Sequence, residues 1–200
     1  MSGAGVAVAL LSDTHGFIDP RILAEALACE RIVHAGDVGG LAVLQALSRG
    51  PAPLLAVRGN NDIAGKWPPA ERARLATLPL VARLDLPGGV LVVAHGHQVS
   101  PASRRHDRLR RAHPEARAVI YGHSHRVAID QTSDPWVLNP GAAGRSRTFG
   151  GPSYIRLVAR PELWTLELRR FSPAVSRRGG GELKPRPGRA APPNPRSQRG

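Results

Sequence analysis

The chain has 200 residues, 42% of them hydrophobic and only 4% aromatic, and it carries a formal net charge of +13. That length holds one domain with a proper core, built mainly from Leu, Val, Ile and Ala, with room for a tail. Cys29 is the only cysteine, which excludes an intramolecular disulfide; the N-terminal apolar run, Val6 to Leu11, is too short to span a membrane, so no membrane role and a cytoplasmic location are expected.

The basic residues are nearly all arginine, Lys66 and Lys184 being the only lysines. A base composition that favours Arg codons explains this without a nucleic-acid partner. Positive charge still draws anionic substrates and raises their encounter rate.

Val6-Ala7-Val8-Ala9-Leu10-Leu11 has the pattern of a strand covered on both faces. A helix is predicted from about Pro20 to Cys29, with Asp19 as N-cap and proline at its first position. Cys29 reads as a buried helical thiol rather than a nucleophile. Arg31–Ala35 is the next strand, Leu41–Leu47 a short helix and Leu54–Val57 a third strand, which together predict parallel βαβ units. After a loop at Trp67-Pro68-Pro69, two apolar runs, Leu80–Leu86 and Val90–Ala94, flank the hairpin chemistry of Pro87-Gly88-Gly89. A basic helix follows, roughly Pro101 to Ala112. Strands are then predicted at Ala118–Tyr121, Arg126–Asp130, Trp136–Leu138, Ser153–Ala159 and Leu163–Arg169. This half is expected to be mostly antiparallel, giving a mixed sheet pair flanked by helices.

From Ser172 onward the sequence is Pro, Gly, Arg and Ser with almost no large apolar residue. Arg177, Arg178, Lys184, Arg186, Arg189, Arg196 and Arg199 stand there against Glu182 alone. Such a segment buries too little surface to offset its ordering entropy. The organisation expected is a domain over 1–171 and a disordered basic tail over 172–200.

Five polar clusters each follow an apolar run of strand length: Asp13-Thr14-His15, Gly36-Asp37, Gly59-Asn60-Asn61-Asp62, His95-Gly96-His97 and Gly122-His123-Ser124-His125. Asn139-Pro140-Gly141 and His34 support them. Two Asp, four His and one Asn are the donor types that divalent first-row ions take, with a carboxylate to bridge. Open α/β sheets collect ligands at the carboxyl ends of their strands, which is where these clusters fall. Two divalent ions set against Asp13, Asp37 and one hydroxide leave the centre at about +1, a cation able to activate water and hold a phosphate. His34 faces away from this edge if its strand alternates, as a core or supporting residue. His106 and His113, in the Arg-rich helix, read as surface residues without a role.

The ordered set Asp-x-His, Gly-Asp, Gly-Asn-x-Asp, His-Gly-His and Gly-His-x-His resembles the calcineurin-like metallophosphoesterase superfamily. The short length and Asn139-Pro140-Gly141 are most similar to its small prokaryotic phosphodiesterase branch, over about residues 5–170. The resemblance implies an α/β/β/α sandwich and a dinuclear site, with Mn2+ the expected ion and Ni2+, Fe2+ or Zn2+ also used. One ion would be held by Asp13, His15, Asp37 and His125, the other by Asp37, Asn60, His95 and His123. His97 would contact substrate, with an exchange of roles between His95 and His97 left open. Asp62 would orient a group that touches the metals. The activity implied is hydrolysis of a small phosphoester, most of all a diester, by a metal-bridging hydroxide. Many members carry a histidine where Asn61 stands, serving as a general acid, and Asn cannot donate a catalytic proton. Two other readings compete: an interaction scaffold, the superfamily including a trafficking subunit whose metal site degenerated, and a nuclease-like enzyme using Arg104, Arg105, Arg108, Arg110 and Arg111.

Overall fold

The computed structural model describes residues 5–173, so the predicted basic tail, Ser172 and Pro173 apart, lies outside the described residues. The first half alternates as predicted: β1 (Val6–Leu11), α1 (Pro20–Leu27), β2 (Arg31–His34), α2 (Leu41–Leu47) and β3 (Leu54–Ala56). The Asp19 carboxylate caps α1, accepting from the Arg21 N–H at 3.0 Å, and proline opens the helix. α3 (Arg72–Ala76) follows, then the hairpin β4 (Val81–Leu86) and β5 (Gly89–Ala94). α4 (Arg105–Ala112), β6 (Ala118–Ile120), β7 (Ala128–Asp130), β8 (Trp136–Asn139), β9 (Ser153–Ala159) and β10 (Trp164–Arg170) complete the chain.

The strands form two five-stranded mixed sheets, in the orders β10-β9-β1-β2-β3 and β4-β5-β6-β8-β7. β1 shows how they stack. Its Ala7, Ala9 and Leu11 pack with Ile22, Ala26, Val43, Leu44, Leu47 and Leu75 of the three N-terminal helices. The alternate residues Val8 and Leu10 face Leu91, Val93, Ile120 and Leu138 of the second sheet. Val92, Val119 and Val137, on that sheet's far side, pack with Leu109 of α4. The order is therefore helices, sheet, sheet, helix: the predicted α/β/β/α sandwich. Strands buried on both faces carry uninterrupted apolar runs for this reason.

The second half of the chain pairs mostly antiparallel, as expected, through β4-β5, β7-β8, β9-β10 and β9-β1, but the middle of the second sheet, β5-β6 and β6-β8, is parallel. The gap between β7 and β8 is a hairpin, whereas the one between β6 and β7 is not: β7 lies at the sheet edge and β8 takes the place beside β6. The predicted loop after Trp67 also holds α3, whose Leu75 reaches the core. Its consequence is functional. β1, β2, β3, β5, β6 and β8 all run the same way within their sheets, and the loop leaving each of them carries one of the polar motifs.

Candidate metal centre

The loops after β1 and β2 run side by side, joined by Asp13 N–H to Gly36 O at 3.0 Å, His15 N–H to Asp37 O at 2.9 Å and Gly16 N–H to Val38 O at 2.8 Å. The loop after β5 meets the one after β6 through Gly122 N–H to His95 O at 3.2 Å. The Asp62 carboxylate accepts from three backbone N–H groups, Val38 at 3.0 Å, Gly39 at 2.9 Å and Gly59 at 2.8 Å, and from Trp67 Nε1 at 3.2 Å. It was expected to orient a group that touches the metals, and it does so through the backbone that carries Asp37 and Asn60, the proposed ligands. Gly36 is forced by crowding: at φ +90°, a Cβ there would lie 2.7 Å from His95 Nδ1 and 2.8 Å from Gly59 N.

The seven predicted ligand residues come together at this edge in two groups that share Asp37. In the first, Asp13, His15, Asp37 and His125 offer one donor atom each, all within 4.8 Å of one another. In the second, Asn60 Oδ1 lies 3.1 Å from His95 Nε2 and 3.0 Å from His123 Nδ1, with Asp37 Oδ1 3.4 Å from His95 Nε2. His97 stands outside both, its ring centroid 5.5 Å from that of His95 and 6.3 Å from that of His123, and its enclosed Nδ1 has no hydrogen-bond partner. It borders the second group without joining it.

The backbone sets these side chains at a cost. Among the described residues, six non-glycine residues have a left-handed φ: Asp13 (54°), His15 (48°), Asp37 (53°), His123 (67°), His125 (57°) and Arg147 (53°). Five are predicted ligands. Each such residue costs on the order of 1 kcal/mol or more, and persists where its surroundings over-determine it.

Proton positions follow from the partners. His95 Nδ1 lies 2.8 Å from Ala35 O and His125 Nδ1 3.1 Å from Ser146 O; a carbonyl only accepts, so both nitrogens donate. This leaves Nε2 of each turned toward the cluster, the arrangement metal-binding histidines adopt. His95 Nε2 then faces two oxygen acceptors, Asn60 Oδ1 and Asp37 Oδ1. Burial would lower this imidazole, but Asp37 and Asp13 outweigh it and hold it above its usual value, so the position attracts a cation, whether a proton or a metal. The donor set therefore fits divalent ions. Charge tells the same story: burial pushes the Asp13 carboxyl up to about 6, against the opposing pull of His95 and of the Ser12 hydroxyl. Burial would raise Asp37 as well, but His95 and the two Asn61 N–H groups outweigh it and hold that carboxyl well below its usual range. Burial lowers His15, His123 and His125, the last to about 4, with Arg147 adding to the effect on His125. Those three neutral imidazoles beside ionised carboxylates are what a metal recruits, and a metal would displace the proton that His95 favours.

Several neighbours were not legible beforehand. Asn61 turns inward, its backbone N–H donating to Asp37 Oδ1 at 2.8 Å and its amide to Asp37 Oδ2 at 2.6 Å, while Lys66 Nζ hydrogen-bonds its Oδ1. Ser12 Oγ lies 2.7 Å from Asp13 Oδ2 and 2.8 Å from Gly141 O. Arg147 donates from Nη2 to His125 Nε2 at 3.0 Å, and nothing in the local sequence marks it among so many arginines. Asn139 supports the edge as expected, donating to Gly122 O at 2.7 Å and Ser124 Oγ at 3.0 Å. His34 is a core residue as expected. Thr14 Oγ1 gives its proton to Val38 O, so His34 Nε2 donates to Thr14 Oγ1, at 2.9 Å. His106 is not the idle surface residue expected. It bridges Asp130 Oδ2 at 2.7 Å and the Tyr121 hydroxyl at 3.0 Å, tying α4 to β7 and β6.

A fold of two packed mixed sheets, with carboxylate, amide and imidazole donors at their shared strand ends, defines an α/β/β/α sandwich with a candidate metal-binding centre. The calcineurin-like phosphoesterase superfamily domain matches residues 6–160, and the chain belongs to that superfamily. A probable metallophosphoesterase of Methanocaldococcus jannaschii is 28% identical over 146 residues, covering 70% of this chain and 69% of its own. An archaeal phosphodiesterase of known structure shares the fold with TM-score 0.61 at 22% identity, over 82% of this chain and 99% of that one. So does a Vps29 mutant from Entamoeba histolytica, with TM-score 0.61 at 19% identity, over 83% and 99% respectively. Among the described residues no helix is long and apolar enough to cross a membrane.

Proposed function

We propose that the protein is a metal-dependent phosphodiesterase acting on a small phosphoester at a dinuclear centre. Asp13, His15, Asp37 and His125 would hold one ion, and Asp37, Asn60, His95 and His123 the other, with Mn2+ the first expectation and Ni2+, Fe2+ or Zn2+ also able to serve. The observation that carries this reading is the pair of donor groups sharing Asp37, with five of the seven residues held in left-handed backbone. When bound, the ions supply an activated water and neutralise phosphoryl oxygens.

The chain's own residues do the rest. Ala35 O and Ser146 O fix the His95 and His125 rings so that each offers Nε2. Asn61 holds both oxygens of Asp37 and so steadies the shared carboxylate. His97, beside the second group with an unpartnered Nδ1, is the side chain we assign to the substrate's leaving-group side. Because Asn61 gives no proton and is already engaged, esters with good leaving groups should be favoured. We expect turnover of bis(p-nitrophenyl) phosphate and little of glycerol phosphate; equal or faster hydrolysis of the latter would refute the preference.

The decisive assay measures bis(p-nitrophenyl) phosphate turnover with Mn2+, with EDTA, and for Asp37→Ala. Absence of metal-dependent turnover in the first condition would sink the enzyme reading. The scaffold reading loses ground because every expected donor is present and gathered. The nuclease reading is weakened in α4: Arg110 pairs with Asp130 at 2.7 Å, and the Arg105 guanidinium lies 5.7 Å from the Tyr121 ring centroid. The lone, buried thiol of Cys29 accords with the cytoplasmic location expected from the sequence.

A further inference from the structure

The loop between β8 and β9 carries Arg145 and Arg147, and the loop between β6 and β7 carries Arg126; two of these three arginines are parked on aromatic rings. The Arg145 guanidinium lies 4.5 Å from the Phe17 ring centroid and that of Arg126 4.0 Å from the Phe149 ring centroid. Arg147 alone reaches the donor cluster, with Nη2 3.0 Å from His125 Nε2. Among the described residues no carboxylate lies within ion-pair distance of Arg147, although the side chain is exposed and Asp13 and Asp37 are close behind His125. Its stem is fixed. The residue sits at φ 53°, its carbonyl accepts from Phe149 N–H at 3.0 Å, and the preceding carbonyl, Ser146 O, holds the His125 ring.

That position is informative because the present partner of the guanidinium is a lone pair that a metal needs. A nitrogen coordinating an ion cannot also accept from Arg147, and two cations repel at such short range. In the loaded centre the guanidinium must turn off His125 while its anchored backbone keeps it at the rim. An oxyanion held by the centre is then the acceptor within reach, and the planar fork of an arginine matches two oxygens of a phosphoryl group.

We infer that Arg147 grips the phosphoryl oxygens of the bound ester on the Asp13–His15–His125 side of the centre. The inference rests on the dinuclear reading above and deepens it, since it makes the site selective for a tetrahedral oxyanion rather than a neutral ester. Arg147 thereby contributes to ground-state and transition-state binding alike, through charge-assisted hydrogen bonds that form when substrate arrives.

The test uses the full chain and inorganic phosphate as probe. Calorimetry measures Mn2+ and Zn2+ uptake without phosphate, then phosphate binding to the loaded protein, for wild type, Arg147→Asn and Arg147→Lys. Asn tolerates left-handed backbone, so the first variant keeps the loop. Expected are metal uptake retained or tightened in both variants, a fall in phosphate affinity of about 10- to 100-fold for Arg147→Asn, and a smaller fall for Arg147→Lys. Phosphate affinity that stays at the wild-type value while metal is retained overturns the inference and leaves the metal centre standing. Loss of metal uptake in Arg147→Asn also overturns it, because the residue would then only support His125. If wild type takes up neither ion, the dinuclear reading falls and the inference falls with it.

Discussion

β5 runs from the Pro87-Gly88-Gly89 turn, at one edge of the sandwich, to the His95-Gly96-His97 loop at the other, and the two edges are built on opposite principles. At its start the left-handed backbone is taken by Gly88 (φ 83°), where it costs little. Polar groups there are paired with ordinary partners: Trp164 Nε1 donates to Pro87 O at 2.7 Å, and Arg117 Nη1 to Gly88 O at 2.7 Å. At the other end glycine again takes it, at Gly96 (φ 84°), but the neighbouring loops after β1, β2 and β6 place the same conformation on Asp13, His15, Asp37, His123 and His125. A carboxylate is buried there with its proton affinity raised, and His95 faces two acceptors. One end contributes stability. The other holds strain and uncompensated charge, and the sandwich between them supplies the rigidity that keeps it so.

The largest test of this contrast exchanges one residue at each end. Asp37→Ala should cut metal-dependent turnover by about 100- to 1000-fold or more while moving the urea unfolding midpoint little. Trp164→Ala, in the core between the sheets, should cost about 3–5 kcal/mol of stability and leave turnover per folded molecule unchanged. The reverse pattern, a large stability loss for Asp37→Ala or a catalytic defect for Trp164→Ala, would erase the distinction.

Asp62 belongs to both sides and should show an intermediate effect on each. Asp62→Ala leaves three backbone N–H groups and the Trp67 indole without their acceptor. We expect about 2 kcal/mol lower stability and a metal affinity weakened about 10- to 100-fold, read by denaturant titration and by metal calorimetry. A stability loss with metal affinity intact would confine Asp62 to the scaffold.

The smallest effect lies away from the centre. Arg110, Thr132 and His106 hold the Asp130 carboxyl well below its ordinary 3.8. A depressed folded value means the contribution is fully present above 3.8 and fades as pH falls below it toward the folded value. Asp130→Asn should therefore lower stability by about 1 kcal/mol at neutral pH and less in strong acid, so the two unfolding curves converge as pH falls. A difference that is constant with pH would remove the ion pair as its cause.

Much of the candidate site was legible because its donors sit within two residues of one another and directly after apolar runs. Asp13-x-His15, His95-x-His97 and His123-x-His125 are local patterns, and the strand ends that carry them are set by local hydrophobicity. Asn61 shows where such reading stops. Its residue type excluded a general acid, but only the path of the chain around Gly59 turned its amide back onto Asp37. His106 seemed idle within a helix of arginines, since its partners Asp130 and Tyr121 arrive from other strands. The parallel pairing of β5, β6 and β8 was not legible for a like reason: strand order depends on which crossover the chain follows, and packing decides that.

The sequence by itself determined the family and the candidate donors of this protein. Residue types at strand ends named the donors, the apolar runs named a sandwich buried on both faces, and the motif order named the superfamily. Only the tertiary structure decided how those donors divide, because Asp37, His95 and His123 meet across long stretches of chain. It also decided which ring nitrogen each histidine offers, since Ala35 and Ser146 supply the carbonyls, and that one arginine among many, Arg147, reaches the centre. Local patterns fix what a side chain can do; distance in sequence is erased only by packing, and packing chooses its partners.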